Sequence, residues 1–125
     1  MKVIGIDHLV INVSDAEKAM CWYRDRLGME PLRYEEWKSG AAPFLSMKIN
    51  ETTIIDLLET ERSGENVDHI ALYIEGDLET LLDHDDVETV REFKSIYGAQ
   101  GWGPAVYIRD LDGNQIELKL YENLI

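Results

Sequence analysis

An internal repeat constrains this chain more than any other feature. Ile6-Asp7-His8-Leu9-Val10-Ile11 returns as Val67-Asp68-His69-Ile70-Ala71-Leu72. The two histidines stand 69 − 8 = 61 residues apart, close to half of the 125 residues. Ile55-Asp56-Leu57 and Ile116-Glu117-Leu118 keep the same interval, 117 − 56 = 61. Each half therefore opens on a strand bearing a histidine and closes on a strand bearing a carboxylate. A fixed internal period of this kind signals a duplicated structural unit.

Taken in order, each half reads β-α-β-β-β. Residues 3–13 alternate, with Ile4, Ile6, His8, Val10 and Asn12 on one face. Ser14 and Glu17 form a predicted capping box, and a helix follows with Ala16, Met20, Tyr23 and Leu27 on its apolar side. Gly28 is the expected stop. Cys21 inside that helix reads as a buried structural thiol, since no histidine neighbours it in sequence. Pro31 to Trp37, Phe44 to Ile49 and Thr52 to Leu58 read as strands, the last two joined by an Asn50-Glu51 turn. Residues 59–66 are polar and mark a linker, so module one spans 1–60 and module two 66–123. In the second half Val67–Ile74 is a strand, Asp77 caps a short helix, and Val87–Ser95 is a strand of ambiguous period. Tyr97 to Gly103 is glycine-rich and reads as a long hairpin loop; no helix follows it that could hold a phosphate. Ala105–Arg109 and Gln115–Tyr121 are strands around an Asp112-Gly113-Asn114 turn. Four strands with one helix cannot bury both faces of a sheet, so the two modules are expected to combine in one α+β domain over residues 1–125.

Charge and cysteine usage narrow the function classes. A formal net charge of −13 argues against nucleic acid and against anionic membrane surfaces. It disfavours strongly anionic substrates, although a local cation overrides a global field. A single cysteine, no signal-type segment and no long apolar run give the expectation of a cytoplasmic protein.

His8, Asp56, His69 and Glu117 are the candidate site. A carboxylate between Ile55 and Leu57, or between Ile116 and Leu118, is costly to bury unless it meets water or a cation. Two imidazoles and two carboxylates suit one divalent ion such as Zn, Ni, Co, Mn or Fe(II). The competing reading is a pair of satisfied strand histidines and two solvent-facing acids. Solvation alone, however, needs no matched spacing in both halves.

Those motifs, with Trp22-Tyr23 to Leu27-Gly28-Met29 and Tyr107 through Leu118, resemble the vicinal oxygen chelate superfamily. That superfamily includes glyoxalase I, extradiol dioxygenases, fosfomycin-resistance enzymes and bleomycin-binding proteins, and the resemblance covers almost the whole chain. It implies two βαβββ modules forming a half-open barrel around a metal, with His8, Asp56, His69 and Glu117 as ligands. It also implies a homodimer, because modules that share a metal come in some members from different chains. The sequence departs from the pattern in places. Glyoxalase I usually has Glu or Gln where Asp56 stands, and glutathione-using members commonly have Arg where Asn12 stands. For an extradiol acid–base histidine only His84 remains, in an acidic turn that reads as solvated. A cationic pocket for a phosphonate does not assemble from the sequence.

Three functions follow as expectations. The first is a metal-dependent lyase or isomerase that stabilises an enediolate of a small substrate with vicinal oxygens, with Glu117 or Asp56 moving a proton. The second is an Fe(II) extradiol-type dioxygenase resting on His8, His69 and Glu117. The third is a metal-free protein that binds a planar drug against Tyr34, Trp37 and Trp102. Intact ligands at all four positions favour the first two.

Overall fold

The repeat in the sequence is a repeat of topology. The computed structural model describes residues 2, 4, 6, 8–61, 63, 64, 67, 69–98 and 101–121. It divides into two compact units, Met1–Ser63 and Gly64–Ile125. The first holds β1 (His8–Val13), α1 (Ala16–Leu27), β2 (Glu30–Leu32), α2 (Tyr34–Lys38), β3 (Leu45–Asn50) and β4 (Thr53–Glu59). Its sheet runs β1-β4-β3-β2, with β1 parallel to β4. The second holds β5 (Ile70–Tyr73), α3 (Leu78–Leu82), β6 (Glu88–Gly98), β7 (Gly101–Arg109) and β8 (Gln115–Lys119). Its sheet runs β5-β8-β7-β6, with β5 parallel to β8. The protein is α+β, and each unit is the expected β-α-β-β-β arrangement, with α2 inserted in the first. No helix among the described residues is long and apolar enough to cross a membrane.

In the first unit, strand alternation separates a core face from a polar face. Ile11 and Val13 on β1, Leu45 and Met47 on β3, and Ile55 and Leu57 on β4 are all buried. Against that face α1 packs Ala16, Ala19, Met20, Trp22 and Tyr23. Each large apolar side chain in this layer contributes roughly 1.5–3 kcal/mol. Gly28 ends α1 in the left-handed region at φ 68°, where only glycine is free of strain. Its N–H donates to Arg24 O, and Met29 N–H donates to Tyr23 O, the paired bonds that close a helix C-terminus.

Several sequence expectations in this unit need correction. The helix cap is Asp15 and not Ser14: the Asp15 carboxylate accepts from Lys18 N–H at 3.0 Å. Glu17, expected to complete a capping box, instead accepts the Tyr34 hydroxyl and lies 3.7 Å from Lys38 Nζ. The first helical amide, Ala16 N–H, is satisfied from β4 by the Glu59 carboxylate at 2.9 Å. Pro31–Trp37 is not one strand. β2 stops at Leu32 because Arg33 adopts φ 60°, and Tyr34–Lys38 coils into α2. That segment lacks β-branched residues, and helical spacing brings the Tyr34 and Trp37 rings to 6.2 Å. Cys21 is only partly buried.

The second unit buries Val106, Ile108, Ile116 and Leu118 on its core face. Its helix is shorter, and no residue of α3 is fully buried. Asp77 caps α3 as expected, accepting from Thr80 N–H at 3.3 Å and from the Thr80 hydroxyl at 2.6 Å. Those two donors hold the Asp77 carboxyl below its ordinary pKa. The turn before β8 is organised by Asp110, whose carboxylate accepts from Asp112 N–H, Asn114 N–H and the Asn114 amide. Gly113 occupies the left-handed position there, at φ 81°.

The glycine-rich stretch is strand, not the expected long loop. Tyr97 pairs with Trp102 and Gly98 with Gly101, and residues 99 and 100 lie outside the described residues. Gly103 is required by packing, since a Cβ there would sit 2.2 Å from the Leu120 carbonyl oxygen. Gly103→Ala is therefore expected to lower stability by about 1–3 kcal/mol through overpacking against backbone that cannot rotate away. Chemical denaturation measures it, and an unchanged midpoint would show that the two strands separate freely. Asp7 and Asp68, the acidic halves of the repeated Asp-His pairs, also lie outside the described residues.

Candidate functional site

Strand register places each carboxylate at an equivalent point of its unit. Val10 stands opposite Asp56 across the parallel β1–β4 pair, and Ala71 stands opposite Glu117 across β5–β8. On the other flank, Ser46 pairs with Asp56 and Tyr107 pairs with Glu117. The repeat thus extends past the four residues legible in the sequence, because 10 and 71, and 46 and 107, keep the same interval.

In the first unit the polar face carries His8, Val10, Ser46 and Asp56, two strand positions separating His8 from the residue opposite Asp56. His8 is exposed at the start of β1, whereas Asp56 is 4% exposed. Ser46, fully buried, donates its hydroxyl proton to Asp56 Oδ1 at 2.6 Å. The same Ser46 oxygen accepts from Arg33 Nη1 at 3.2 Å. A hydroxyl has one proton and two lone pairs, so Ser46 serves both neighbours at once. Arg33 follows directly on the end of β2 and adopts the left-handed conformation there.

In the second unit His69 and Glu117 meet directly, with Nε2 and Oε2 3.1 Å apart. Glu117 is 6% exposed and His69 partly exposed. The residue opposite Glu117 is the small Ala71, and His69 stands two positions before it. The imidazole meets the edge of the Tyr107 ring at 5.2 Å, and Tyr107 in turn meets Phe93 at 5.8 Å. One strand repeat beyond Glu117, buried Lys119 donates to Ile96 O and Gly103 O, both at 2.7 Å, and so ties β8 to the β6–β7 hairpin.

The donor chemistry fits a divalent cation of intermediate hardness. Ligands about 2.1 Å from one ion and at right angles lie about 3 Å apart. The 3.1 Å contact of His69 with Glu117 meets that spacing without rearrangement. Among the described residues, however, no three His, Cys, Asp or Glu side chains gather as a metal-holding cluster. His69 and Glu117 are in contact, and His8 and Asp56 share a sheet face in their own unit. His84 is exposed on the turn after α3, as a solvated histidine should be. Of the aromatic candidates, Tyr34 and Trp37 pack on each other in α2 and Trp102 is 65% exposed. Sequence reasoning missed Ser46, Arg33 and Tyr107. Ser46 alone left a trace, as the one polar residue between Leu45 and Met47.

No curated protein matches the sequence. Solved structures do resemble it. An integron cassette protein from the mobile metagenome of V. cholerae is 26% identical, with 98% of each chain covered and a TM-score of 0.72. The genomically encoded fosfomycin resistance protein FosX of Listeria monocytogenes is 18% identical, with 99% of this chain and 94% of that one covered, at a TM-score of 0.71. Lactoylglutathione lyase of Agrobacterium tumefaciens is 19% identical, with 93% and 92% covered, at a TM-score of 0.62. The last two establish likeness of fold. The family model described as Glyoxalase/Bleomycin resistance protein/Dioxygenase superfamily matches residues 5–118, and the chain belongs to that superfamily.

Proposed function

We propose that the protein is a divalent-metal-dependent lyase or isomerase of glyoxalase type, acting on a small substrate with two neighbouring oxygens, with His8, Asp56, His69 and Glu117 as metal ligands. The observation that carries this reading is the His69–Glu117 contact on a buried strand, repeated in position by His8 and Asp56. When bound, the ion supplies Lewis-acid polarisation of the substrate oxygens. The chain's own residues do the rest. Asp56 is fixed, its Oδ1 taken by the Ser46 hydroxyl. Glu117 has the longer side chain and a partner, His69, that shares its position with a ligand. It is the carboxylate that takes the proton from carbon at Oε1 or Oε2 and returns it to the neighbouring carbon. Burial keeps water from competing for that proton. Asn12 stands where glutathione-using members carry Arg, so the proposed substrate is a small molecule other than a glutathione adduct.

Metal analysis of the protein as purified tests the reading, followed by activity with added Ni(II), Mn(II) and anaerobic Fe(II). One divalent ion per chain and activity that returns with metal are expected; activity indifferent to chelation and reloading would contradict it.

The Ser46–Asp56 hydrogen bond favours one competing reading, in which Asp56 stands behind the metal and not on it. His8, His69 and Glu117 would then form the two-histidine, one-carboxylate set of Fe(II) oxygenases.

A homodimer is also proposed. β1 and β5 are edge strands of their own sheets, and Val10 and Tyr73 on them leave apolar surface exposed. Light scattering at micromolar concentration should give twice the 14.4 kDa chain mass, and a monomer would overturn the assignment.

A further inference from the structure

Arg33 is the only non-glycine residue among the described ones with a positive φ, 60°, and nothing in the proposed chemistry explains why an arginine stands there. An L-residue held in this region costs of order 1 kcal/mol, which Gly or Asn would largely avoid. In this conformation Arg33 Nη1 lies 3.2 Å from Ser46 Oγ, itself 2.6 Å from Asp56 Oδ1. A guanidinium carries five N–H donors in a planar fork. Only one nitrogen is engaged, and among the described residues no carboxylate pairs with it. The side chain is therefore held at one end by a buried hydroxyl on the Asp56 face, and the residue as a whole is exposed. Such a fork matches the two oxygens of a carboxylate.

The charge of the chain gives this cation its meaning. With 25 acidic against 12 basic residues, the surface as a whole repels anions. A fixed cation beside the Asp56 face offsets that repulsion locally.

We propose that Arg33 is a specificity-determining residue that binds a carboxylate on the substrate, so that the substrate class is a small acid carrying its vicinal oxygens and, separately, a carboxylate. This assignment rests on the metal reading above, which supplies the anchor for the vicinal oxygens. Ser46 orients the guanidinium, and Arg33→Lys should restore only part of the effect, because an ammonium cannot make the bidentate contact.

The test uses two probes with the same chelating end. Acetohydroxamate presents two vicinal oxygens alone, and succinic acid monohydroxamate presents the same two with a carboxylate tail. Affinities for the Mn(II)-loaded protein are measured by calorimetry for wild type, Arg33→Gln and Arg33→Lys. Wild type is expected to prefer the carboxylate-bearing probe by about tenfold or more, the scale of a charge-assisted bidentate contact. Arg33→Gln should lose that preference while binding acetohydroxamate as wild type does, which also shows that the variant is folded. Binding of both probes with no preference in wild type, or a preference that survives in Arg33→Gln, would overturn the role of Arg33 and leave the metal reading standing. Failure of both probes to bind the wild-type protein would overturn the metal reading and this assignment together.

Discussion

His69→Ala and His8→Ala are expected to purify without bound divalent metal, whereas His84→Ala keeps the wild-type content. Removing even a residue that only orients a ligand typically costs 10–100-fold in metal affinity, and removing a ligand costs at least that. The three histidines differ in setting, which makes the comparison informative. His69 touches Glu117 at 3.1 Å, His8 shares the polar face of its sheet with Asp56, and His84 lies exposed on a turn. His69→Ala also leaves a buried carboxylate without its neighbour, which lowers stability by about 1–3 kcal/mol. His69→Gln, which keeps a polar group near Glu117, and a thermal melt of each variant separate loss of metal from loss of fold. Equal metal in all three alanine variants would rule out the ligand set.

Asp56→Ala and Glu117→Gln carry the second large effect, on turnover. If Glu117 moves the proton, Glu117→Gln should lower kcat by about 10²–10⁴-fold, the usual contribution of a positioned base. Asp56→Ala should lower metal affinity and activity together if Asp56 is a ligand. It also strands the Ser46 hydroxyl, which now donates to Asp56 Oδ1, and Asp56→Asn keeps an acceptor there as a control. Intact Fe(II) binding and near wild-type activity in Asp56→Ala would place Asp56 behind the metal and favour the oxygenase reading.

How far the sequence displayed this arrangement follows from what a repeat can encode. The pairing of His8 with His69 and of Asp56 with Glu117 was legible because the same or similar neighbours recur at a fixed interval. Strand parity then put the carboxylates on the face opposite Ile55, Leu57, Ile116 and Leu118, all of which are buried. Ser46 was not legible, and the reason is register. A two-residue turn at Asn50-Glu51 would set Ser46 opposite Ile55. The observed turn lies one residue later, and an irregularity between Lys48 and Asn50 shifts the pairing so that Ser46 meets Asp56. A slip of one residue exchanges the faces of a strand, so no parity argument survives it. Arg33 was hidden for a different reason. Its left-handed backbone is set by the end of β2 and the start of α2, and nothing in Leu32-Arg33-Tyr34 announces it. The glycine-rich stretch misled in the opposite direction, since glycine density marks a loop in isolation, whereas Gly98 and Gly101 are paired in strands and Gly103 stands where the backbone of Leu120 comes close.

Proton exchange tests the central claim most directly. The metal-loaded protein is incubated under argon in deuterium oxide with small α-hydroxy ketones and with hemithioacetals of methylglyoxal, and the α-proton signal is followed by NMR. The account predicts that deuterium enters at the α-carbon of at least one probe, that chelation abolishes the exchange, and that Glu117→Gln slows it by about 10²-fold or more. Turnover that requires O₂, with no exchange at carbon in its absence, would contradict it.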